Sequence, residues 1–448
     1  MPRLAALANL AERTPRAIAA EIARLVTEGA LAPGERLPTV REVASDLGVS
    51  AGTVSAAWHA LSGAGVIVSR GRAGSFVRVD RAGWLSPRVQ DLAAAPLETR
   101  LDLSLGTPDP ALLPPLEAAF SRVSPRADTG RYHDLPVLPE LGALFAETWP
   151  SPAETITVVD GALDGIARTL EQVVRFGDRV AVESPGFPYF FDLLEALGAE
   201  AVPLELDALG VAPASLQRAL VRRPSAVILQ PRAQNPTGAS MDAERARALA
   251  RVMRAAPGGD RVVVIEDDHS GLICSAPDVT LARWIPGQVV HVRSFSKSHG
   301  PDLRIAALGG PAHIVERVVS RRMLGPGWTS RLLQTVLLGL LTDDGAVARV
   351  RTARLVYRDR VDRLAVALRK RGIDVGDPDG INLWLPVVSE RAALVRLAAA
   401  GIAVAAGSPF VMGEPPEAHV RVTAGLAASN VLGIADALAD AAVAPPLT

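Results

Sequence analysis

The sequence holds a single cysteine, Cys274, among 448 residues. One thiol excludes an intrachain disulfide and a cysteine-rich metal site, and it suits a reducing compartment. Lysine is nearly absent: of 47 basic residues only Lys297 and Lys370 are lysines. Arginine can supply surface charge, but a primary amine does chemistry that a guanidinium cannot. Both lysines are therefore candidates for amine chemistry. Net charge is also lacking, at −1. That excludes global steering toward nucleic acid or anionic membrane, so any such affinity must be local. The longest charge-free stretch late in the chain, residues 397–413, is broken by Gly401, Gly407, Ser408 and Pro409, and no membrane span is expected. Arg3, Glu12 and Arg13 bracket an alanine-rich opening without a cleavage pattern, so a cytoplasmic protein is expected. What remains is ordinary for a folded chain, with 49% apolar and 21% charged residues. At ~100–200 residues per domain, two or three domains fit.

Residues 12–80 read as one unit. Thr14-Pro15 is an N-cap with proline at the first helical position, and Ile18, Ile22, Leu25 and Val26 follow at helical spacing. Thr39 and Glu42 form a capping box for a second helix that stops at Gly48. Ser50 caps a third, with Val54, Trp58 and Leu61 inward, and the runs VIVS and SFVRV then flank an Arg-Gly turn. Three helices and a small hairpin describe a winged helix-turn-helix. In that motif the second helix of the pair enters the major groove by its N-terminal residues, which here are Ser50, Ala51, Gly52 and Thr53. Arg41 points outward if Val40 and Val43 point in, and Arg70 and Arg72 at the wing suit phosphate or minor-groove contact. Residues 1–80 carry nine arginines against seven acids, a local excess of the right sign.

Residues 81–100, with Gly83, Pro87 and Pro96 and no clear periodicity, read as a partly extended linker. From residue 101 to 448, β-branched runs alternate with amphipathic helical stretches: TITVVD, RVAVES, EAVPLEL, SAVILQ, RVVVIEDD, VVHVRSF and RIAALGG. Such nearly continuous runs mark strands buried on both faces of a mostly parallel sheet. A helix near 349–370 and the segment after Asn430 suggest a smaller C-terminal subdomain.

Strand ends are where α/β sheets build sites, and the chemistry gathers there. Lys297 follows VVHVR, placed for a Schiff base with an aldehyde cofactor. Ser294 and Arg304 are placed for a phosphate, as are the backbone N–H groups of Gly161-Ala162-Leu163 at a helix start. Asp267 ends VVVIE, where a carboxylate can keep a pyridine nitrogen protonated. Asn235, in NPTG after SAVILQ, can donate to a ring oxygen, and Phe187 can stack on a ring. Lys370, in LRKR, reads as a solvated helix end.

The phrases GALAPGERLPTVREVASDLGVSAGTVSAAWHALSGAGVIVSRGRAGSFV resemble the GntR DNA-binding domain. That resemblance places DNA contacts on Arg41, Ser50, Thr53, Arg70 and Gly71; where the family often has an arginine after the turn, this chain has Ala51. The ordered set GAL, aromatic, NPTG, DD, SxSK, Arg resembles the fold-type I, class I aminotransferase domain over about residues 100–440. It implies pyridoxal 5'-phosphate as cofactor and no metal. Lys297 becomes the Schiff-base lysine, Asp267 the partner of the pyridine nitrogen and Asn235 that of the 3-oxygen. Phe187 would stack, Ala162, Ser294 and Arg304 would hold phosphate, and Arg421 would grip a substrate α-carboxylate. Tyr132 matches the tyrosine that reaches the neighbouring subunit's phosphate. His269 stands where the family usually has a tyrosine; its imidazole can bond the 3-oxygen, with a charge expected to change near neutral pH.

Together the two modules resemble the MocR-type regulators, most closely their vitamin B6-responsive branch. The resemblance implies an α/β fold-type I body behind an N-terminal winged helix-turn-helix. It also implies a homodimer in which the reader of one chain packs over the other chain's body. DNA binding would respond to cofactor or to an effector, a B6 vitamer or amino compound, with weak transaminase activity at most. The alternative is a genuine pyridoxal phosphate-dependent aminotransferase with an accessory DNA-binding domain.

Overall fold

The computed structural model describes residues 10–446 apart from 11, 64–65, 70–73, 78–84, 91–98, 122, 124–131, 133 and 414–416. The chain divides into two compact units, a small one built on the residues up to Pro87 and a large one that starts at Arg88.

In the small unit, helix α1 (Pro15–Thr27) begins where the Thr14 side chain accepts the Ala17 N–H. Helix α2 (Val40–Leu47) begins with the complete capping box: the Thr39 hydroxyl accepts the Glu42 N–H, and the Glu42 carboxylate accepts the Thr39 N–H at 2.7 Å. It ends at Gly48, whose φ of 63° only glycine adopts without strain. Helix α3 (Ala51–Gly63) starts after two intervening residues. Strands β1 (Ile67–Ser69) and β2 (Ser75–Val77) pair antiparallel, Ile67 opposite Val77. Ile18, Ile22, Val43, Leu47, Val54, Trp58, Leu61 and Val77 share one core. The winged helix-turn-helix expected from spacing is therefore what the chain forms. Arg70 and Gly71 lie outside the described residues.

The expected linker contains a one-turn helix, Pro87–Gln90, where the sequence suggested extended chain. Both Arg88 N–H donors face one carboxylate: its backbone at 3.3 Å and its guanidinium at 2.5 Å from Asp192. The ion pair fixes a segment too short to be a stable helix alone.

The large unit has two sheets. All seven predicted runs become strands of the first: β4 (Thr155–Val159), β5 (Arg179–Glu183), β6 (Glu200–Leu204), β7 (Ala226–Leu229), β8 (Val263–Asp268), β9 (Val289–Ser294) and β10 (Ala306–Gly310). Their spatial order is β4-β10-β9-β8-β7-β5-β6. Only β10 runs against its neighbours, so the ends of β4, β5, β7, β8 and β9 all open on one edge. A second sheet of four strands joins β3 (Leu101–Leu103) to β11 (Leu383–Val387), β12 (Ile402–Ala406) and β13 (Ala418–Val422), in the order β11-β13-β12-β3. It shares a core with two helices, Asp344–Arg369 and Val431–Ala442. This is the predicted C-terminal subdomain, but its sheet was not evident in the sequence. No helix among the described residues is long and apolar enough to cross a membrane.

The capping box gives the first testable outcome. Thr39→Ala removes the acceptor for the Glu42 N–H and should cost about 1 kcal/mol. Denaturant unfolding of the full chain should show the small unit's transition moving to lower concentration, with the large unit's transition unchanged.

Candidate functional site: a cofactor pocket and a DNA-reading helix

At the sheet edge, the sequence Ser294-Phe295-Ser296-Lys297 leaves β9 and enters a single helical turn. That turn directs the Lys297 amine back toward the end of β8. There the ring of His269 meets it, Nδ1 in direct hydrogen-bond contact with Lys297 Nζ. The other ring nitrogen, Nε2, lies 2.8 Å from the Ala233 carbonyl oxygen. Burial lowers the Lys297 pKa to about 8, against the opposing pull of Asp267. The expected neutral-pH switch at His269 is not what the structure gives. Desolvation, then the neighbouring Lys297 charge, push the imidazole pKa well below its ordinary value, so the ring is neutral.

Adjacent residues of β8 face opposite sides of the sheet, and this separates the Asp267-Asp268 pair. Asp268 is fully buried and paired with Arg232 at 2.7 Å, which holds its carboxyl below the usual range despite burial. Asp267 receives only the Gln230 side-chain amide, 2.8 Å from its Oδ2. Its Oδ1 is buried without a partner. Burial raises the Asp267 pKa to about 6. Asp268, Asp278 and His291 also approach as a metal site would, within 4.8 Å of one another. Arg232 and Arg293 already neutralise those two carboxylates, at 2.7 Å and 3.3 Å respectively.

Asn235 is buried, and its Oδ1 faces Asn382 Nδ2 at 3.5 Å and Arg421 Nη1 at 3.4 Å. With the oxygen so occupied, the amide N–H pair is left to donate elsewhere. Arg421 on β13 is 4% exposed and, among the described residues, pairs with no carboxylate, although the charge of Asp102 acts on it from a distance. Its Nη2 donates to the Ser104 carbonyl, its guanidinium lies 5.0 Å over the Phe410 ring, and its Nε has no partner. Burial lowers its pKa to about 10. Gly106, at φ 65°, leaves the room: a Cβ there would sit 2.9 Å from Arg421 Nη1.

On the β4 side, Gly161 (φ 103°) precedes helix Ala162–Val173 with no side-chain cap, so the first N–H groups stay open. Arg304 lies across that turn, donating to the Asp160 carbonyl at 3.1 Å. A Cβ on Gly161 would meet its guanidinium at 2.6 Å. Ser294 ends β9 beside Lys297 and accepts the Ser296 N–H. Phe187, half-buried after β5, packs against Tyr189 and Phe190.

Lys297, His269, Asp267, Asn235 and Arg421 thus meet at one edge, with Ala162 and Arg304 together at another strand end. Tyr132 does not join them; it is 79% exposed with its ring edge-on to Trp328. Lys370 is exposed at the end of its helix. Gln230, Asn382, Ser104 and Gly106 were missed by the sequence reading. Only Gln230, at the end of SAVILQ, carried a positional signal. Glu183 was missed too: 2% exposed with Oε1 unpartnered, it has its pKa raised to about 8 by burial.

The residues fit pyridoxal 5'-phosphate. An orphaned buried carboxylate oxygen suits a protonated ring nitrogen, a desolvated amine suits an aldehyde, and a glycine-floored turn under an arginine suits a phosphate. In the small unit, the Ser50 hydroxyl accepts the Thr53 N–H at 3.0 Å and lies 2.8 Å from Thr53 Oγ1, at the start of α3. Arg41 is exposed in the first turn of α2.

Comparison with known proteins followed the same division. Residues 14–77 match the bacterial regulatory proteins of the gntR family, and residues 99–438 match aminotransferase class I and II. The vitamin B6 salvage pathway transcriptional repressor PtsJ of Salmonella typhimurium is 37% identical over 92% of this chain and 94% of its own. The HTH-type transcriptional regulator TauR of Rhodobacter capsulatus is 30% identical over 86% and 88%. Among solved structures, the α-aminoadipate aminotransferase LysN of Thermus thermophilus, complexed with N-(5'-phosphopyridoxyl)-L-leucine, covers 80% of this chain and 97% of its own. At a TM-score of 0.67 and 22% identity it shares the fold.

Buried acids that favour their protonated form in the folded state make stability fall as pH rises. For Glu183 the window runs from about 4.5 to about 8. Glu183→Gln should flatten thermal stability across that window and raise the melting temperature above the wild type's at pH 8–9. A variant that melts in parallel with the wild type at every pH would contradict this. By sequence, domain order and fold, this chain belongs to the MocR-type regulators, in which a GntR winged helix-turn-helix precedes a class I and II aminotransferase domain.

Proposed function

We infer that this chain is a DNA-binding transcriptional regulator of vitamin B6 metabolism. It holds pyridoxal 5'-phosphate on Lys297, and the state of that pocket alters its grip on DNA. The observation that carries the reading is that likeness to the PtsJ repressor runs through 92% of the chain, reader and body alike. In the pocket, Asp267 orients the ring through its nitrogen, Asn235 donates to the 3-oxygen and Phe187 lies against the ring. The N–H groups at Ala162, with Ser294 and Arg304, take the phosphate. Bound there, the cofactor supplies an electrophilic carbon and an electron-withdrawing ring. In the reader, Arg41, Ser50 and Thr53 face phosphates and base edges, assisted by Arg70 and Gly71 at the wing.

The assembly is a homodimer in which each reader packs over the partner's body. The exposed Tyr132 ring is what such an arrangement would cover, reaching the phosphate held by the neighbouring subunit. The effector is a B6 vitamer or an amino compound, and the protein acts in the cytoplasm. The second reading, a working aminotransferase, rests on Arg421, a buried cation that pairs with no carboxylate among the described residues and suits a substrate carboxylate.

Borohydride reduction of the protein with pyridoxal phosphate should fix the label to Lys297 and not to Lys370. Arg41→Ala should weaken operator binding by ~1.5–3 kcal/mol, the worth of a charge-assisted hydrogen bond. Operator affinity should change ~5–150-fold across a pyridoxal phosphate titration, the usual size of a coupling between sites. Lys297→Ala should abolish that response while leaving the reader folded. A ligand shifts an equilibrium only by its differential affinity for the two states. Equal affinities at zero and saturating cofactor in the wild type would therefore end this reading and favour the enzyme.

A further inference from the structure

The pair formed by His269 and Lys297 goes a step further. The two ring nitrogens of His269 meet neighbours of different kinds: Nε2 faces a carbonyl oxygen, while Nδ1 faces the Lys297 amine and, at 3.5 Å, the Ser270 hydroxyl, both of which can donate. The Ala233 carbonyl oxygen, 2.8 Å from Nε2, can only accept. Nε2 must therefore carry the ring's proton. Nδ1 is left with a lone pair, and Lys297 Nζ lies against it. A second proton on the ring would charge a desolvated imidazole beside a lysine. The Ala233 carbonyl is itself held in place: Ala233 sits at φ 45°, with its N–H bonded to the Ser240 hydroxyl at 2.8 Å.

We propose that His269 is a positioning residue that accepts a hydrogen bond from the Lys297 nitrogen and gives none to the cofactor. The reading rests on Lys297 as the attachment point. A cofactor joined to Nζ has its 3-oxygen on the ring carbon next to the one bearing the aldehyde carbon. Groups that touch Nζ therefore border that oxygen. A donor at position 269 would draw off the 3-oxygen's negative charge and loosen the proton it holds on the cofactor–lysine nitrogen. An acceptor withdraws nothing, and it also stabilises an N–H on that nitrogen. Asn235, whose Oδ1 is already engaged, keeps its amide N–H pair for that oxygen. The charges around the pair are Asp267 and Asp268 on β8, Arg232 beyond β7 and Arg421 on β13. They are common to wild type and to position-269 variants, so comparison of variants isolates the ring at 269.

The cofactor–lysine adduct should keep its proton across pH 6–9, so the pocket behaves as a holder of cofactor with one fixed protonation state. In capture, the neutral amine nitrogen would form a C=N double bond with the aldehyde carbon, its two hydrogens would leave with the carbonyl oxygen as water, and one proton from solvent would charge the nitrogen.

The test is the visible spectrum of the cofactor-loaded full chain against pH, for wild type, His269→Phe and His269→Tyr. The two variants differ by one hydroxyl, so damage to folding is shared and cancels in the comparison. The wild type and the Phe variant should hold a constant band from pH 6 to 9. The Tyr variant should titrate about 1–2 pH units lower, the size of one hydrogen bond to a charged group. In the unloaded protein, nitrogen-15 NMR should show Nε2 as the protonated nitrogen and Nδ1 as the bare one. A wild type that titrates like the Tyr variant, or two variants that titrate alike, would overturn the proposal while leaving Lys297 as the attachment point. Loss of the band from the wild type itself, with no borohydride label on Lys297, would overturn both.

Discussion

Charge buried without a matching charge is the constraint on which the large unit is arranged. A lone buried ion costs several kcal/mol unless something answers it. Asp268 is answered within the protein by Arg232. Asp267 and Arg421 form no ion pair among the described residues, feeling Lys297 and Asp102 only as neighbouring charges: one keeps a bare carboxylate oxygen, the other a bare guanidinium nitrogen. The sheet makes the difference possible. Its parallel strands end together, so side chains from β7, β8 and β9 are brought to a common edge, while alternation along β8 sends its two aspartates to different neighbours. Stability is spent at this edge to hold polar atoms ready for a ligand, and the surrounding core of apolar strands offsets it.

Much of this was legible in the sequence, for identifiable reasons. Strands buried on both faces write themselves as nearly continuous apolar runs, as β5, β7, β8 and β9 do, while β6, alternately exposed, and β10, without a β-branched residue, were legible from their place in the same alternating series. Helix starts in the small unit were marked by local chemistry, Thr14-Pro15 and the Thr39/Glu42 box, that acts over three or four residues. The scarcity of lysine drew attention to Lys297 before any geometry existed. The small sheet escaped because β12 is alanine-rich, β11 contains Pro386, and β3 finds its partner some three hundred residues downstream. Local pattern does not carry that pairing. Asn382, Ser104 and Gly106 escaped for the same reason, since each matters only through Arg421 or Asn235, far off in sequence.

His269 shows where residue type misleads. The ordinary imidazole titrates near neutral pH, and from the sequence alone that is the expectation. The structure supplies two facts a sequence cannot: a carbonyl that claims one ring nitrogen and an amine that sits against the other. Environment converts a switch into a fixed acceptor. The same holds for Asp267, whose free carboxylate oxygen depends on which of two adjacent carboxylates Arg232 takes.

The pairing of β3 also ties the start of the large unit to the site. Coming from the DNA-reading unit, the chain is pinned first at Arg88, to Asp192 beside the seven-stranded sheet, and next at Arg100 and Leu101, whose N–H groups both donate to the Gly401 carbonyl of the four-stranded one. Beyond β3 the chain runs directly to the Ser104 carbonyl that Arg421 grasps. A shift of the four-stranded sheet at Gly401 is thus passed to β3 and on to the guanidinium of Arg421 through backbone hydrogen bonds and three residues of chain.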